Sequence, residues 1–156
     1  IHTPGHTGDH LCLLDPETGT LLSGDHVLPT ITPHISGLHA NDTLSTFFDA
    51  LDRVAAIEGV QRVLPAHGDP FTDLAGRVAA IREHHEERLG LLSEIGAQLG
   101  EADVAEFSHH LFQPRSWGAM AESETYAHLE HLRLNGTAER REDEQGRIVY
   151  RVMATI

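Results

Sequence analysis

The sequence contains no lysine, a single cysteine and no apolar run long enough to cross a membrane. All eleven basic residues are arginine, and 24 acidic residues bring the formal net charge to −13. This charge argues against DNA or membrane partners, since both require a cationic surface. The single cysteine, Cys12, rules out an intramolecular disulfide framework and fits a reducing, cytoplasmic location.

Histidine, in contrast, is abundant, with thirteen residues in a chain of 156. The first three, His2, His6 and His10, recur every four residues, but the Pro-Gly pair between the first two excludes a helix. They are therefore predicted to lie on a loop that leads into a strand. Four later histidines stand in helical stretches that contain several glutamates, and we predict them at the surface: His84, His85, His128 and His131.

Strands and helices are predicted to alternate in the N-terminal half of the chain. Apolar runs at 10–15 and 20–24 flank the turn PETG and predict a β-hairpin. A helix with one apolar stripe is predicted after the N-cap pair Asn41-Asp42, followed by a short buried strand over 60–64. A further helical stretch, one helix or two, is predicted to open at Pro70. This order is typical of α/β proteins.

The C-terminal half reads as helices followed by a β-hairpin. Amphipathic helices are predicted over 101–112 and 122–136, and strands on either side of the turn DEQG. Together with the end of the long helical stretch, this order resembles the winged-helix arrangement. We therefore predict two domains, 1–86 and 87–156, with no flexible linker between them.

Three short polar stretches, HTPGHT, SGDH and PAHG, are each predicted at the end of an apolar strand or in the loop after it. Loops at strand ends are where α/β proteins place reactive groups. The stretches contain His6, Asp25 and His67, whose imidazole and carboxylate groups are ligands for zinc, iron or manganese. A glycine beside each of them allows close approach of the backbone to a shared centre. The sequence therefore predicts a metal site.

The same three stretches resemble the metallo-β-lactamase superfamily, in which such loops bind a dinuclear metal centre. The resemblance implies that His6 binds the first metal, that Asp25 bridges both as the catalytic carboxylate, and that His67 binds the second. It covers roughly residues 1–85 and implies half of an αββα sandwich, followed by the small winged-helix domain found in some members. The implied cofactors are two divalent ions, with zinc first and iron or manganese as alternatives.

The family's HxHxDH motif, which supplies the remaining ligands, is missing from this sequence. We therefore expect the chain to be the C-terminal half of a longer hydrolase and to be inactive alone. The alternative is a small protein that has lost its catalytic half. The apolar face of such a half-sandwich is expected to be covered by a second copy or by the N-terminal half.

Five further histidines are candidates for the pocket or for support of the ligands. His26 directly follows the predicted bridging aspartate, where the family more often has GDT or GDA, and has either a substrate contact or a structural role. His2 and His10 flank the first ligand and are interpreted as supporting or structural residues. His34 and His39 lie on the loop at 27–41 and are candidates for the border of the pocket.

Three functions stay open from the sequence. The favoured one is hydrolysis of a small-molecule ester or thioester through a metal-activated water. The runner-up is a metal-dependent endoribonuclease or phosphodiesterase, and the non-enzymatic alternative is a winged-helix regulator or a degenerate fragment. Residues 86–156 carry thirteen acidic residues and seven arginines, which is the wrong sign for a surface that tracks phosphates.

Overall fold

Two three-stranded sheets and four α-helices form the mixed α/β fold of the residues that the computed structural model describes, 1–37 and 42–153. The chain divides into two units by its contacts: the first comprises 1–35 and 44–85, and the second comprises 36–43 and 86–156. Over the described residues, none of the helices has both the length and the apolar character that a membrane crossing requires.

The sheet of the first unit has a central strand with one antiparallel and one parallel neighbour. Strand β1 (Leu13–Asp15) and strand β2 (Thr20–Gly24) form the hairpin predicted from the sequence, which is thereby confirmed. Strand β3 (Arg62–Pro65) pairs with the other side of β2 in parallel. Because β2 and β3 are parallel, their C-terminal ends lie at the same edge of the sheet.

The two faces of this sheet differ in exposure. Leu21 of β2 and Val63 of β3 are paired neighbours and are both fully buried. Leu13, Leu22 and Leu64 are cross-strand neighbours on the opposite face, where Leu13 is 60% and Leu22 43% exposed. Side chains alternate between faces along a strand, so the register that buries Leu21 also exposes Leu22. We call the three exposed-face residues the leucine row.

Two helices also contribute to the first unit's core. Helix α1 (Thr43–Ala55) has the predicted buried stripe, formed by Leu44, Phe47, Ala50, Leu51 and Val54. Helix α2 (Leu74–Leu99) is one continuous helix of 26 residues. It begins four residues later than predicted from Pro70, because Phe71 is still held in a β-bridge and the carboxylate of Asp73 caps the helix by accepting the amide of Gly76 at 2.9 Å. Of the predicted N-cap pair of α1, Asn41 lies outside the described residues.

From residue 86, within α2, the second unit continues through two helices and a sheet. In chain order these are β4 (Glu101–Asp103), α3 (Val104–Leu111), a 3-10 turn (Pro114–Ser116), α4 (Ala119–Leu134), β5 (Ala138–Glu142) and β6 (Ile148–Val152). The strands are antiparallel in the order β4-β6-β5, which confirms the predicted hairpin. Residues 101–103 form a strand instead of the predicted helix, because Asp103 caps α3 by accepting the amide of Glu106 at 2.9 Å.

The core of the second unit joins its helices to its sheet. Its buried members are Leu92, Ala102, Phe107, Leu129, Leu132, Ala138, Tyr150 and Val152. The hydroxyl of Tyr150 donates to Glu130 at 2.5 Å, and the same carboxylate accepts from Arg133 and Arg140. Burial and the Glu130 carboxylate hold the pKa of Tyr150 above its ordinary value, so the phenol stays a donor. The hairpin is thereby tied to α4 by a polar contact at the rim of the core.

Two of the histidines predicted at the surface are fully buried, so that prediction was wrong for them. The ring of His85 on α2 packs edge-on against Phe47 at 5.6 Å and Phe48 at 6.0 Å. His128 on α4 is likewise fully buried. The glutamates beside these residues mark one exposed face of each helix, but a helix presents its neighbouring residues to different faces.

The leucine row leads us to expect that the isolated chain of 156 residues self-associates. An exposed apolar row on a sheet is a surface that a second copy can cover. The double substitution Leu13→Gln and Leu22→Gln should therefore shift the chain towards monomer in sedimentation velocity. Met120→Gln, at an exposed site in the second unit, is the matched control and should change nothing. A wild-type chain that stays monomeric at its highest soluble concentration would contradict this.

The burial of His128 should make the free energy of unfolding depend on pH. Burial lowers the pKa of His128 from 6.5 to about 4, and the carbonyl of Glu124, which accepts from Nδ1 at 2.7 Å, opposes this only in part. As the pH falls, the unfolded chain therefore binds the proton before the folded chain does. The contribution of neutral His128 to the free energy of unfolding is fully present above pH 6.5 and is lost as the pH falls towards 4. When the pH is lowered from 7 to 5, the free energy of unfolding of His128→Leu should fall by about 2 kcal/mol less than that of the wild type, as measured by urea unfolding.

The control for this measurement is His110→Leu, since His110 is exposed. Its free energy of unfolding should fall as much as that of the wild type. Equal losses in all three proteins would show that His128 is not held neutral by the fold.

Candidate metal centre

Asp25 and His67 are brought together by the parallel pairing of β2 and β3. The pairing ends with Gly24 opposite Pro65, after a register shift, and the amide of Ala66 donates to the carbonyl of Gly24 at 2.9 Å. Asp25 follows β2 directly, and His67 lies two residues beyond β3. His67 Nε2 is 3.3 Å from Asp25 Oδ1, and the two side chains are 68% and 34% exposed. The strand ends therefore hold an imidazole and a carboxylate side by side and open to solvent.

His6 is oriented by a backbone carbonyl. Its Nδ1 lies 2.7 Å from the carbonyl oxygen of His34. Since a carbonyl only accepts hydrogen bonds, Nδ1 carries a proton, and Nε2 is the nitrogen of this ring that can bind a metal. Metal-binding histidines are commonly fixed by such a bond from the nitrogen that does not bind the metal. The contact therefore gives His6 the tautomer that a ligand requires.

The three predicted ligands do not form one compact cluster. In the first unit, which is described throughout 1–35 and 44–85, no three ligand atoms of His, Cys, Asp or Glu lie within 4.8 Å of one another. The predicted roles assign His6 and His67 to different ions, which in two-metal sites are about 3.5–4 Å apart. The arrangement therefore excludes a preformed single-ion site built from all three residues.

His10 uses both of its ring nitrogens within the protein. Nε2 accepts the backbone N–H of Asp25 at 3.1 Å, and Nδ1 lies 2.7 Å from the hydroxyl of Thr3. Burial lowers the pKa of His10, as does the nearby charge of His6, while Asp25 opposes the shift. His10 therefore links the hydroxyl of Thr3 to the loop of Asp25 through its two ring nitrogens.

His26 is buried beside this loop. Its ring is 5.0 Å from Phe47 in a T-shaped contact and 5.9 Å from His10, and among the described residues neither ring nitrogen has a hydrogen-bond partner. Burial lowers the pKa of His26 to about 4. Because the side chain is fully buried, its surroundings favour the structural role over the substrate contact.

The remaining candidate histidines have different positions. His2 is exposed and bonds through Nε2 to the carbonyl of Gly8 at 2.9 Å, which closes the loop that carries His6. His34 takes part through its backbone carbonyl, as described above. His39 lies outside the described residues. Sequence reasoning missed Thr3 and the His34 carbonyl, because a backbone acceptor leaves no pattern in the residue types.

A cavity of about 530 Å³ lies at the start of α2, next to the loop of His67. Its lining residues are Pro29, Pro70, Phe71, Thr72, Asp73, Gly76, Arg77 and Ala80. The guanidinium of Arg77 donates to the carbonyls of Leu28 at 2.5 Å and Ile31 at 2.8 Å. These bonds fix the segment that follows Asp25, which contributes Pro29 to the lining of the cavity.

No family model matches the chain. The chain is, however, similar to solved structures that are named as metallo-β-lactamase family or β-lactamase domain proteins. It is 31% identical to a metallo-β-lactamase family protein from Thermus thermophilus, with a TM-score of 0.86 over 97% of this chain and 48% of that one. A β-lactamase domain protein from Burkholderia ambifaria gives 31% identity and a TM-score of 0.86, over 94% and 45% of the two chains. The fold therefore matches metallo-β-lactamase family structures.

Curated relatives agree at the level of sequence. A lactamase-like protein of Penicillium aethiopicum is 35% identical over 89 residues, which is 57% of this chain and 27% of that protein. An atrochrysone carboxyl ACP thioesterase of a Cryptosporiopsis species is 35% identical over 78 residues, or 50% and 22%. This chain thus spans about a quarter of these relatives. The predicted resemblance is confirmed as metallo-β-lactamase-fold homology over part of the chain.

Zinc binding should depend on Asp25 if the site is as described. We expect Asp25→Ala to weaken the binding of Zn²⁺ to this chain by roughly 100-fold or more, because the substitution removes a ligand and not merely its support. Isothermal titration of zinc into both proteins measures the difference. Asp9→Ala, an exposed carboxylate in the same N-terminal segment, should bind as the wild type does. Unchanged affinity in Asp25→Ala would remove Asp25 from the ligand set.

Proposed function

We propose that this chain is the metal-binding C-terminal part of a metallo-β-lactamase-type hydrolase that acts on a small ester or thioester. The observation that carries the proposal is the meeting of Asp25 and His67, 3.3 Å apart, at the ends of two parallel strands. His6, with Nε2 left free by its bond to the His34 carbonyl, adds a third ligand of suitable tautomer. Relatives with lactamase and thioesterase names support the reaction class.

The donor set fits divalent metals. His6 and His67 offer imidazole nitrogens and Asp25 offers two carboxylate oxygens, which are ligands that zinc, iron and manganese share. When bound, such ions supply Lewis acidity towards water and towards the scissile carbonyl. In this proposal Asp25, His6 and His67 would be the residues of this chain that hold the ions. Zinc is the first choice of metal.

The second unit is proposed to be a winged-helix domain. Its elements follow the order helix, strand, helix, helix, strand, strand, and the last strand lies between the other two. Three helices with a closing hairpin are also what the sequence predicts. On this proposal the domain boundary lies near residue 86, inside α2.

The charges of the second unit favour a small substrate over RNA. Among its described residues, five of seven arginines are paired with carboxylates: Arg88, Arg133, Arg140, Arg141 and Arg147. Paired guanidinium groups are poor contacts for successive phosphates, each of which needs a cation. A cavity of about 530 Å³ beside the His67 loop is within the size range of small-molecule sites. We therefore place phosphodiester cleavage second.

The experiment is to assay the full-length protein, reconstituted with zinc, against a thioester and ester panel and against single-stranded RNA. We expect turnover of at least one acyl substrate and none of RNA. Asp25→Asn should reduce that turnover by roughly 100-fold or more, since it removes a charged ligand of similar size. Asp9→Asn is the matched control.

Cleavage of RNA that depends on Asp25, without turnover of any ester or thioester, would overturn the substrate class and leave the metal site standing. Turnover that does not depend on Asp25 would overturn the site itself. Tight retention of the protein on heparin at low salt, without any hydrolysis, would favour the regulatory alternative.

A further inference from the structure

His10 stands between the N-terminal segment and the loop of Asp25, and the geometry fixes which of its nitrogens carries the proton. The backbone N–H of Asp25 can only donate, and it points to His10 Nε2 at 3.1 Å. Nε2 must therefore be unprotonated. Nδ1 then carries the proton and donates to the hydroxyl of Thr3 at 2.7 Å. Thr3 is fully buried, so this acceptor is shielded from water.

The contact of His10 with the Asp25 loop depends on the residue before Asp25. Gly24 has a φ of +54°, and a Cβ at this position would lie 2.5 Å from Nε2 of His10. A side chain there would displace the imidazole from the Asp25 amide. Glycine at 24 therefore serves the packing of His10 as well as the backbone turn, a role that the sequence assigned only in general terms.

We infer that His10 is a positioning residue for Asp25. Thr3, His10 and the Asp25 amide form a chain of hydrogen bonds, which we call the relay. The relay fixes the backbone of Asp25 and thereby the position of its carboxylate relative to a bound metal. The inference rests on the proposed metal site. Residues that orient metal ligands typically contribute 10–100-fold to metal affinity. His10 acts through Asp25, because both of its nitrogens are already used.

The first test needs no metal and no substitution. Long-range ¹H–¹⁵N correlation spectra of the wild-type chain report which ring nitrogen of His10 is protonated. We expect the neutral form with the proton on Nδ1, and a slowly exchanging amide at Asp25. A proton on Nε2 would overturn the relay directly, because Nε2 could not then accept from Asp25.

The second test compares variants by titration with Co²⁺, whose visible spectrum reports ligand geometry. His10→Phe, which removes the acceptor, should weaken Co²⁺ binding by about tenfold or more. His10→Gln keeps an acceptor near the position of Nε2 and should recover most of the affinity. His110→Gln alters an exposed histidine of the second unit and should change nothing.

Hydrogen exchange separates positioning from a general loss of structure. In His10→Phe the amide of Asp25 should exchange about tenfold faster, the loss expected for one hydrogen bond. The amide of Ala66, which bonds to Gly24 at the same sheet edge, should keep its rate. Equal acceleration at both amides would mean that His10 merely stabilises the fold, which overturns the inference.

The two proposals fail in different ways. If Asp25→Ala binds Co²⁺ as the wild type does, the metal site is wrong and the relay has no metal to serve. If Asp25→Ala loses binding and a folded His10→Phe keeps it, the site stands and the positioning role is wrong. Should His10→Phe not fold, Thr3→Val replaces it: unchanged tautomer and unchanged affinity in that variant would overturn the relay.

Discussion

The parallel pairing of β2 with β3 is the interaction on which the site depends. Antiparallel strands would send their C-terminal ends to opposite edges of the sheet, whereas parallel ones deliver both to the same edge. Asp25 and His67 are far apart in sequence, yet they meet because each follows the end of one of these strands. The bond from the Ala66 amide to the Gly24 carbonyl extends the pairing into the two loops. The site is thus a consequence of strand direction.

The N-terminal segment is arranged around the same edge by polar contacts. His6 bonds to the His34 carbonyl, and His10 links the Thr3 hydroxyl to the Asp25 amide. Beneath them the ring of Phe47 contacts His26. The loops therefore pack on an apolar core and are held by hydrogen bonds to the imidazoles of His6 and His10. Such support is what distinguishes a positioned ligand from a histidine that merely lies nearby.

Much of this was predictable from residue types, and the failures have physical reasons. The hairpin and the stripe of α1 follow from alternation and periodicity, which are local in sequence. The burial of His85 and His128 was not predictable, because charge in neighbouring residues says nothing about which helix face packs. The strand at 101–103 was also missed, since three residues become a strand only through pairing with distant β6. Likewise, the bond from His6 to a carbonyl leaves no trace in the sequence.

The central claim is that Asp25, His67 and His6 bind metal at the edge where β2 and β3 end. Anomalous scattering at the zinc edge, from crystals of this chain grown with Zn²⁺, tests it most directly. We expect zinc at about 2.0–2.2 Å from the carboxylate of Asp25 and the imidazole of His67, the usual ligand distances, with Nε2 of His6 turned to the same edge. Zinc bound only at other histidines, with Asp25 and His67 free of metal, would contradict it.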